Sequence, residues 1–293
     1  MESIGTIREA YQWASSFLQD GGISSPEFEA ELLIRRSLGV DRTRFFTMWK
    51  EPWPAELTPR LRQWIQRRVQ GEPLQYIFGD QEFYGRTFEV NPSVLIPRPE
   101  TELLVETVLR EADKEWGDQP LHVVDVGTGS GAIAVTLAVE RPRWRVTAID
   151  ISRSALQTAR RNAARHGVEE RMEWIHGEYL TPLLGTASAP DILVSNPPYI
   201  PSGQVPKLEK QVSQFEPRLA LDGGEDGLDP YRVLTKQLAE WDGKRVRLVC
   251  FEIGADQGPE VSNLVRNISR EVSVSVRQDL AGRDRIVVGW IRG

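Results

Sequence analysis

Apolar positions recur three and four residues apart near the start of the chain, which is the spacing of an amphipathic helix. One such stripe predicts a first helix and consists of Ile4, Ile7, Tyr11, Ala14 and Leu18. The chain therefore opens with a helix that has one apolar face.

Two further helices are predicted from the residues at their ends. Ser24 and Glu27 have the spacing of a capping box, and Gly39 follows the last apolar position of the second helix. A third helix is predicted over residues 58–71. Because residues 1–72 contain no catalytic grouping of their own, we interpret them as a small N-terminal helical domain that serves recognition or packing.

Residues 73–99 have a different pattern. Short aromatic and β-branched runs alternate with turn residues, which is typical of strands. The runs are Tyr76–Phe78, Glu82–Tyr84 and Thr87–Val90. We therefore predict a β-hairpin linker over this region, ending at Pro99.

Strand and helix patterns alternate over residues 100–293. Helices are predicted at 100–112, 131–140, 154–166, 231–241 and 257–267. Strands are predicted at 121–126, 144–149, 191–195, 246–251, 272–276 and 286–291. This alternation predicts an α/β domain with a doubly wound, mostly parallel sheet. The loop between the final two strands is too short for a crossover helix, so that pair should be antiparallel.

The composition is that of a soluble globular protein, with 293 residues, 40% hydrophobic and 27% charged. The sequence has no apolar run long enough to cross a bilayer and no secretory signal pattern, so we expect a cytoplasmic protein without membrane contact. Cys250 is the only cysteine and the three histidines lack metal-ligand spacing, so no metal site is expected.

The net charge of −6 argues against a nonspecific grip on DNA or RNA, which depends on many lysine and arginine contacts. One local exception is a basic cluster in the helical region, formed by Arg60, Arg62, Arg67 and Arg68. A solvated helix face is the favoured interpretation of this cluster, ahead of a docking patch.

A glycine-rich turn follows the predicted strand 121–126, and a helix begins directly after it. The turn consists of Gly127, Thr128, Gly129, Ser130 and Gly131. Glycines let a ligand approach the backbone closely. Asp150 ends the next strand, where a carboxylate can accept hydrogen bonds from both ribose hydroxyls of an adenosine.

Three interpretations of this turn compete: a structural turn, a dinucleotide loop and an S-adenosylmethionine loop. The spacing is G-x-G-x-G rather than the dinucleotide pattern G-x-G-x-x-G, and Asp125 lies two residues before the first glycine. An acidic residue repels a pyrophosphate but can engage the cationic methionyl portion of S-adenosylmethionine. The S-adenosylmethionine loop is therefore favoured.

A second motif, Asn196, Pro197, Pro198 and Tyr199, follows the apolar strand 191–195. It should face the same crevice as the glycine turn, because ligands bind at the carboxyl ends of strands in open α/β sheets. The Asn196 side-chain carbonyl and the Pro197 backbone carbonyl can accept from the two N–H bonds of an amide. Tyr199 offers a flat face for stacking. This arrangement favours methyl transfer to a planar amide or amine nitrogen.

Further segments resemble the release factor glutamine methyltransferase family (PrmC/HemK), which belongs to the class I S-adenosylmethionine-dependent methyltransferases with a Rossmann-like fold. The resemblance covers the chain from about Pro73 onward, and the small helical N-terminal domain fits the family's architecture. The segments are Pro73–Gly79, Phe83–Gly85, Ile96–Glu102, Glu216–Leu221, Gly223–Leu228 and Asp279–Arg285.

The resemblance implies methylation of the glutamine in the Gly-Gly-Gln motif of bacterial class 1 peptide chain release factors, with S-adenosyl-L-methionine as cofactor. It assigns cofactor contacts to the glycine turn, Asp150 and Asn196, and an adenine contact to Tyr179. Residues 196–199 would hold the glutamine. A weaker implication is that the mouth of the cofactor site is shaped by Arg98, Glu100 and Thr101.

Two other functions stay open. A nucleic-acid adenine amino-methyltransferase could use the same motifs, although it usually needs a basic recognition surface that this sequence lacks. A non-catalytic methyltransferase-like binding protein would be favoured by loss of the motif residues, and none is lost. An NAD-dependent oxidoreductase is disfavoured by the loop spacing.

Overall fold

The computed structural model describes residues 4–185, 189–241 and 246–292. The chain divides into two compact units, Met1–Gly79 and Asp80–Gly293. Each unit has its own hydrophobic core. Within the described ranges, no helix is both long and apolar enough to cross a membrane.

The first unit is helical. Its core consists of apolar side chains that include Leu18, Leu33 and Leu61, none of which is exposed to solvent. The helices are α1 Ile7–Asp20, α2 Pro26–Leu38, α3 Arg42–Thr47, α4 Thr58–Val69 and α5 Leu74–Phe78. The three predicted helices are thus found, and α3 and α5 are additional.

Two local predictions in the first unit are wrong. The capping box is not at Ser24: the N-cap of α2 is Ser25, without a side-chain cap, whereas Thr6 and Glu9 form a capping box on α1. The predicted strand Tyr76–Phe78 is part of helix α5, which Gly79 ends in a left-handed conformation.

The basic cluster of α4 is largely occupied by contacts inside the first unit. Arg67 pairs with Glu72 at 2.6 Å and Arg68 pairs with Glu29 at 2.6 Å. Arg60 lies over the ring of Trp64. These contacts support a structural role for the cluster rather than a docking patch.

The second unit begins with the predicted hairpin, β1 Asp80–Phe83 and β2 Arg86–Glu89, which are paired antiparallel. The turn residues Tyr84 and Gly85 both have positive φ, as the tight two-residue turn of a hairpin requires. Phe83 and Phe88 are buried, so the hairpin contributes to the core of this unit.

The strands of the main sheet are β3 His122–Val126, β4 Arg145–Asp150, β5 Met172–His176, β6 Ile192–Ser195, β7 Leu248–Glu252, β8 Val272–Gln278 and β9 Asp284–Ile291. Among the described residues their order in the sheet is β5-β4-β3-β6-β7-β9-β8. β3 to β7 are parallel, and β9 pairs antiparallel with both β7 and β8. The mostly parallel sheet with an antiparallel final strand is therefore confirmed, whereas the bounds of β5 were not predicted.

Helices cover both faces of this sheet. They are α6 Pro99–Trp116, α7 Ala132–Glu140, α8 Arg153–Arg165, α9 Lys210–Ser213, α10 Asp229–Ala239 and α11 Gly258–Arg266. Apolar residues of α6 and α7 pack on one face, and those of α10 and α11 pack on the other. The order of connection reverses between β3 and β6, and the carboxyl ends of strands at such a reversal form the usual ligand crevice of the fold.

Candidate active site

A cleft of about 210 Å³ lies at the carboxyl ends of β3, β4 and β6. Nine of the residues predicted for the site line it: Gly127, Thr128, Gly129, Ser130, Asp150, Tyr179, Asn196, Pro197 and Pro198. The two motifs predicted to share a crevice therefore do so. Gly131 and Tyr199 do not line the cleft.

The glycine turn is fixed by backbone hydrogen bonds to the next strand. The amides of Gly127 and Thr128 both donate to the carbonyl of Ile149, at 2.9 and 3.1 Å. Gly129 has a φ of 57°, and a Cβ atom there would meet nothing within 4 Å. The positive φ at this position disfavours any residue with a side chain. The space that a side chain would fill is open and leaves room for a ligand.

Gly131 has a different role in the packing. It is the N-cap of α7 with a φ of 81°, and a Cβ atom there would lie 3.0 Å from the Cβ of Ala159 on α8. Its small size therefore permits the close approach of these two helices, while the cleft is lined by the preceding four residues of the turn.

Asp125 lies beneath the glycine turn and is fully buried. Its Oδ2 accepts a 2.7 Å hydrogen bond from the Thr128 hydroxyl, and burial raises its pKa to about 7. The expectation that Asp125 engages a methionyl group directly is not supported by its position, because its side chain does not line the cleft. The contact that it makes stabilises the turn.

Asp150 presents a carboxylate to the cleft from the end of β4. Its Oδ2 accepts from the Gly129 amide and its Oδ1 accepts from the Ser152 amide, both at 2.8 Å. Burial raises the pKa of Asp150, and these backbone hydrogen bonds oppose the rise. Each oxygen keeps a lone pair, so the group can accept two more hydrogen bonds from vicinal hydroxyls.

Tyr179 is half-buried on the wall of the cleft and has a φ of 50°. A left-handed conformation is strained for a residue with a large side chain, and such strain concentrates at ligand sites. Burial raises the pKa of Tyr179, so the phenol stays neutral at ordinary pH. Its ring is available as an apolar face for a flat ligand.

Asn196 follows β6, and its side chain is tied to helix α6. Its Nδ2 donates to the Oγ1 of Thr101 at 3.2 Å. Because the amide nitrogen is used in this way, the Oδ1 atom is the acceptor left for a ligand. Among the described residues, no hydrogen bond is made to the backbone carbonyl of Pro197. Two acceptors of the predicted kind are therefore present side by side.

Tyr199 packs behind the motif rather than on the wall of the cleft. Its backbone carbonyl accepts from the Nε2 of Gln257 at 3.1 Å, and its ring lies near Gly254. Burial raises the pKa of its hydroxyl to about 12. In this conformation Tyr199 supports the backbone of the motif and does not present a face to the cleft.

A segment after the motif also lines the cleft and was not assigned a role from the sequence. It consists of Pro217, Leu219 and Ala220. The preceding residue, Glu216, has an almost fully buried side chain that forms an ion pair with Arg98. Arg98 thus both lines the cleft and is held by an ion pair, whereas Glu100 is exposed and does not line it.

Glu252 was also not anticipated. It ends β7, is 2% exposed, and its pKa is raised to about 7 by burial, against which hydrogen bonds from Thr101 and Asn196 act. The signal was available, since an acidic residue after an apolar strand is the same pattern that identified Asp150.

The residues present fit a nucleoside ligand that carries no phosphate. The cleft supplies a carboxylate for hydroxyls in Asp150, an apolar edge in Ile151 and an aromatic face in Tyr179. Among the residues that the structure describes, Arg98 is the one arginine or lysine that lines this cleft, and it is paired with Glu216. A cleft lining of this kind suits an adenosine better than a pyrophosphate.

Comparison with solved structures supports the predicted fold. The chain is similar to a human methyltransferase 10 domain containing protein, with a TM-score of 0.51 and 16% identity over 71% of this chain and 88% of that one. It is also similar to the catalytic domain of hMettl16 in complex with the MAT2A 3′UTR hairpin 6, with a TM-score of 0.53 and 14% identity over 80% and 81% of the two chains. Both are methyltransferase folds, as predicted.

Sequence comparison covers nearly the whole chain. Residues 9–79 match the family model of the PrmC N-terminal domain, and residues 99–215 match that of the Methyltransferase small domain. The chain is 41% identical to release factor glutamine methyltransferase of Bacillus anthracis over 97% of this chain and 99% of that protein. It is 40% identical to the Bacillus subtilis protein of the same name, over 98% of each. The chain therefore belongs to the release factor glutamine methyltransferase family.

Proposed function

We propose that this protein transfers a methyl group from S-adenosyl-L-methionine to the side-chain amide nitrogen of the glutamine in the Gly-Gly-Gln motif of bacterial class 1 peptide chain release factors. The observation that carries the proposal is the position of Asn196, whose side chain is held by Thr101 at the edge of a cleft that also contains Asp150. Membership of the family supports the choice of substrate.

The cofactor would be held by residues that already have the required geometry. Asp150 would accept from the two ribose hydroxyls, the glycine turn at 127–130 would line the methionyl side, and Tyr179 would pack against the adenine. When bound, the cofactor supplies an electrophilic methyl group on a sulfonium. The chain contributes the orientation of this group and the exclusion of water from it.

The acceptor amide is a weak nucleophile, because its lone pair is delocalised into the carbonyl. The Oδ1 of Asn196 and the backbone carbonyl of Pro197 would accept from its two N–H bonds and hold the nitrogen in one orientation. Positioning of this kind can lower a barrier by roughly 7–11 kcal/mol. Pro198 stiffens the backbone behind these acceptors, and Gln257 holds the backbone carbonyl of the next residue, Tyr199.

The reaction needs no strong general base before the transfer, because the methylated nitrogen loses its proton readily. In agreement with this requirement, the lining of the cleft includes none of the histidines of the chain. We further propose that the N-terminal helical unit recognises the release factor. The reaction would take place in the cytoplasm, where release factors act on ribosomes.

The test is mass spectrometry of a purified release factor after incubation with this protein and S-adenosylmethionine. We expect a gain of one methyl group on the glutamine of the Gly-Gly-Gln motif, and no gain when that glutamine is replaced by alanine. Labelled methyl on DNA with an unmodified release factor would instead favour the adenine methyltransferase. Cofactor binding without any methylation would favour the non-catalytic binding protein.

A further inference from the structure

Glu252 and Asn196 occupy equivalent places on neighbouring strands. Ser195 of β6 is the register partner of Phe251 on β7, so the residues that follow them come next to each other at the same edge of the sheet. Glu252 is 2% exposed, and the hydroxyl of Tyr231 donates to its backbone carbonyl at 2.7 Å. The backbone of Glu252 is thus fixed from the opposite face of the sheet.

The side chain of Glu252 faces the residues that hold the proposed methyl acceptor. Interactions with Thr101 and Asn196 lower the pKa of its carboxylate, so both side chains lie close to it. Asn196 in turn donates to the Thr101 hydroxyl oxygen, which leaves the hydroxyl hydrogen free for another acceptor. The three side chains are therefore neighbours, and the carboxylate in its charged form can only accept hydrogen bonds.

Other charged and titratable groups surround this carboxylate from each packed element. Arg285 on β9 favours its charged form, and Glu100 on α6 disfavours it. The remaining titratable neighbours are two neutral phenols, Tyr199 after β6 and Tyr231 on α10. The Oε2 atom of Glu252 has no hydrogen-bond partner among the described residues. A buried acceptor atom without a partner is costly and requires an explanation, and a role in orienting Asn196 supplies one.

We propose that Glu252 is a positioning residue: its carboxylate, together with Thr101, fixes the Asn196 amide nitrogen so that the Asn196 Oδ1 atom faces the methyl acceptor. This inference rests on the proposed function. An unrestrained asparagine amide can rotate by half a turn and present its NH₂ group, which would repel the N–H bonds of the substrate. Glu252 prevents this rotation because a carboxylate accepts from the NH₂ group and cannot pair with Oδ1.

Protonation removes this restraint. A protonated Glu252 can donate to the Asn196 Oδ1 atom, which then no longer serves the substrate. Burial raises the pKa of Glu252 to about 7, so the carboxylate predominates above that pH and is lost as the pH falls through it. If Glu252 has this positioning role, kcat must fall as the pH is lowered through about 7.

The experiment measures kcat and KM for release factor methylation from about pH 5.5 to about pH 8.5, with saturating cofactor. We expect the kcat of the native protein to fall as the pH is lowered through 7. In Glu252→Gln, kcat at alkaline pH should be roughly tenfold lower than in the native protein, as expected for loss of one charged hydrogen bond. The kcat of this variant should not fall further as the pH is lowered through 7. The cofactor Kd should be unchanged.

Two control variants separate this role from general effects of a buried carboxyl group. Glu111 is also buried and hydrogen-bonded, to Lys114 and to Trp290 of β9, and Glu111→Gln should keep the native profile. Thr101→Val removes the second partner of Asn196. It should lower kcat, and its effect should be smaller in the Glu252→Gln background, because the two residues hold the same amide.

A measurement that does not depend on activity is the NMR signal of the Asn196 side-chain NH₂ group. This signal should shift with pH, and the midpoint of the shift should lie near the pH at which kcat falls. The shift should be absent in Glu252→Gln. Three results would each overturn the proposal. The first is a kcat that still falls below pH 7 in Glu252→Gln, and the second is an effect of this substitution on KM alone. The third is an NH₂ signal in the native protein that does not change with pH. If the native protein methylates no release factor, the proposed function fails, and the NMR titration still decides the role of Glu252.

Discussion

The backbone amide of Gly129 donates a 2.8 Å hydrogen bond to Oδ2 of Asp150, which joins the glycine turn after β3 to the carboxylate at the end of β4. A second amide, from Ser152, occupies Oδ1 at the same distance. The carboxylate is therefore oriented before any ligand arrives. Asp150 lines the cleft, and each of its oxygens keeps a lone pair for a ligand.

Asp150→Asn is expected to weaken cofactor binding about 10- to 100-fold. An asparagine can accept with one atom only, so its NH₂ group must face one of the two backbone N–H groups. A lost charged hydrogen bond is worth about 1.5–3 kcal/mol. Calorimetric titration with S-adenosylmethionine measures the effect, and Asp118→Asn, at an exposed ion pair with Arg143, is the control. An unchanged Kd would remove Asp150 from the cofactor site.

Asn196→Ala should lower the methylation rate by at least about 100-fold, the size of effect seen when one preorganised polar contact to a reacting group is removed. Cofactor affinity should change much less, and the melting temperature should be kept. Single-turnover methylation of a release factor, with binding and thermal melting in parallel, distinguishes these effects. Retention of the native rate would contradict the two-acceptor mechanism.

Gly131→Ala should destabilise the fold by more than Gly129→Ala. Both positions have positive φ, which costs an alanine about 1 kcal/mol or more. At Gly131 the new Cβ also meets Ala159 at 3.0 Å, whereas at Gly129 it meets nothing within 4 Å. Urea unfolding measures the difference. Cofactor binding should show the reverse order, because Gly129 lines the cleft, and equal effects in both assays would contradict this division of roles.

Asp125→Asn should stabilise the protein above neutral pH. Burial raises the pKa of Asp125 from 3.8 to about 7, so the folded state binds a proton more tightly than the unfolded state between these values. Stability from this group therefore falls as the pH rises through that window and stays low above it. The variant should be more stable by about 1–4 kcal/mol at pH 8, and the difference should shrink toward pH 5. Chemical unfolding at both pH values tests this sign, and a larger gain at pH 5 would refute it.

A fragment comprising residues 80–293 should fold and bind the cofactor, because the second unit has its own core and contains the whole lining of the cleft. We expect its KM for an intact release factor to rise, while its rate on a short peptide with the Gly-Gly-Gln sequence should match that of the full chain. Circular dichroism and the methylation assay check both points. Native KM on the intact factor would exclude recognition by the helical unit.

The features predicted best from the sequence are those that depend only on the parallel arrangement of the strands. The glycine turn, Asp150 and the Asn-Pro-Pro motif each follow an apolar strand, and parallel strands bring their carboxyl ends together whatever the details of packing. The family resemblance is confirmed by relatives that match nearly the whole chain. At these positions the local sequence pattern and the parallel sheet predict the same arrangement.

The wrong predictions lie where packing decides between local alternatives. Tyr76–Phe78 consists of residues that favour strands, yet it forms a short helix between Pro73 and Gly79, because tertiary contacts override propensity. Tyr199 was expected in the cleft, and its ring packs behind the motif instead. Glu216 was named only as part of a family segment and was given no role, because its partner Arg98 is distant in sequence. Glu252 was missed although it ends an apolar strand as Asp150 does.

The position of β9 has a consequence for biosynthesis. β9 follows every other described strand in the chain, yet it lies inside the sheet, between β7 and β8. While the polypeptide is being synthesised, the edge of β7 that β9 will occupy is exposed, and β8 has no partner strand in the sheet. Such unpaired edges are prone to aggregation. The sheet of the nascent catalytic unit therefore remains incomplete until β9 has emerged from the ribosome, and until then these edges are open to wrong pairing.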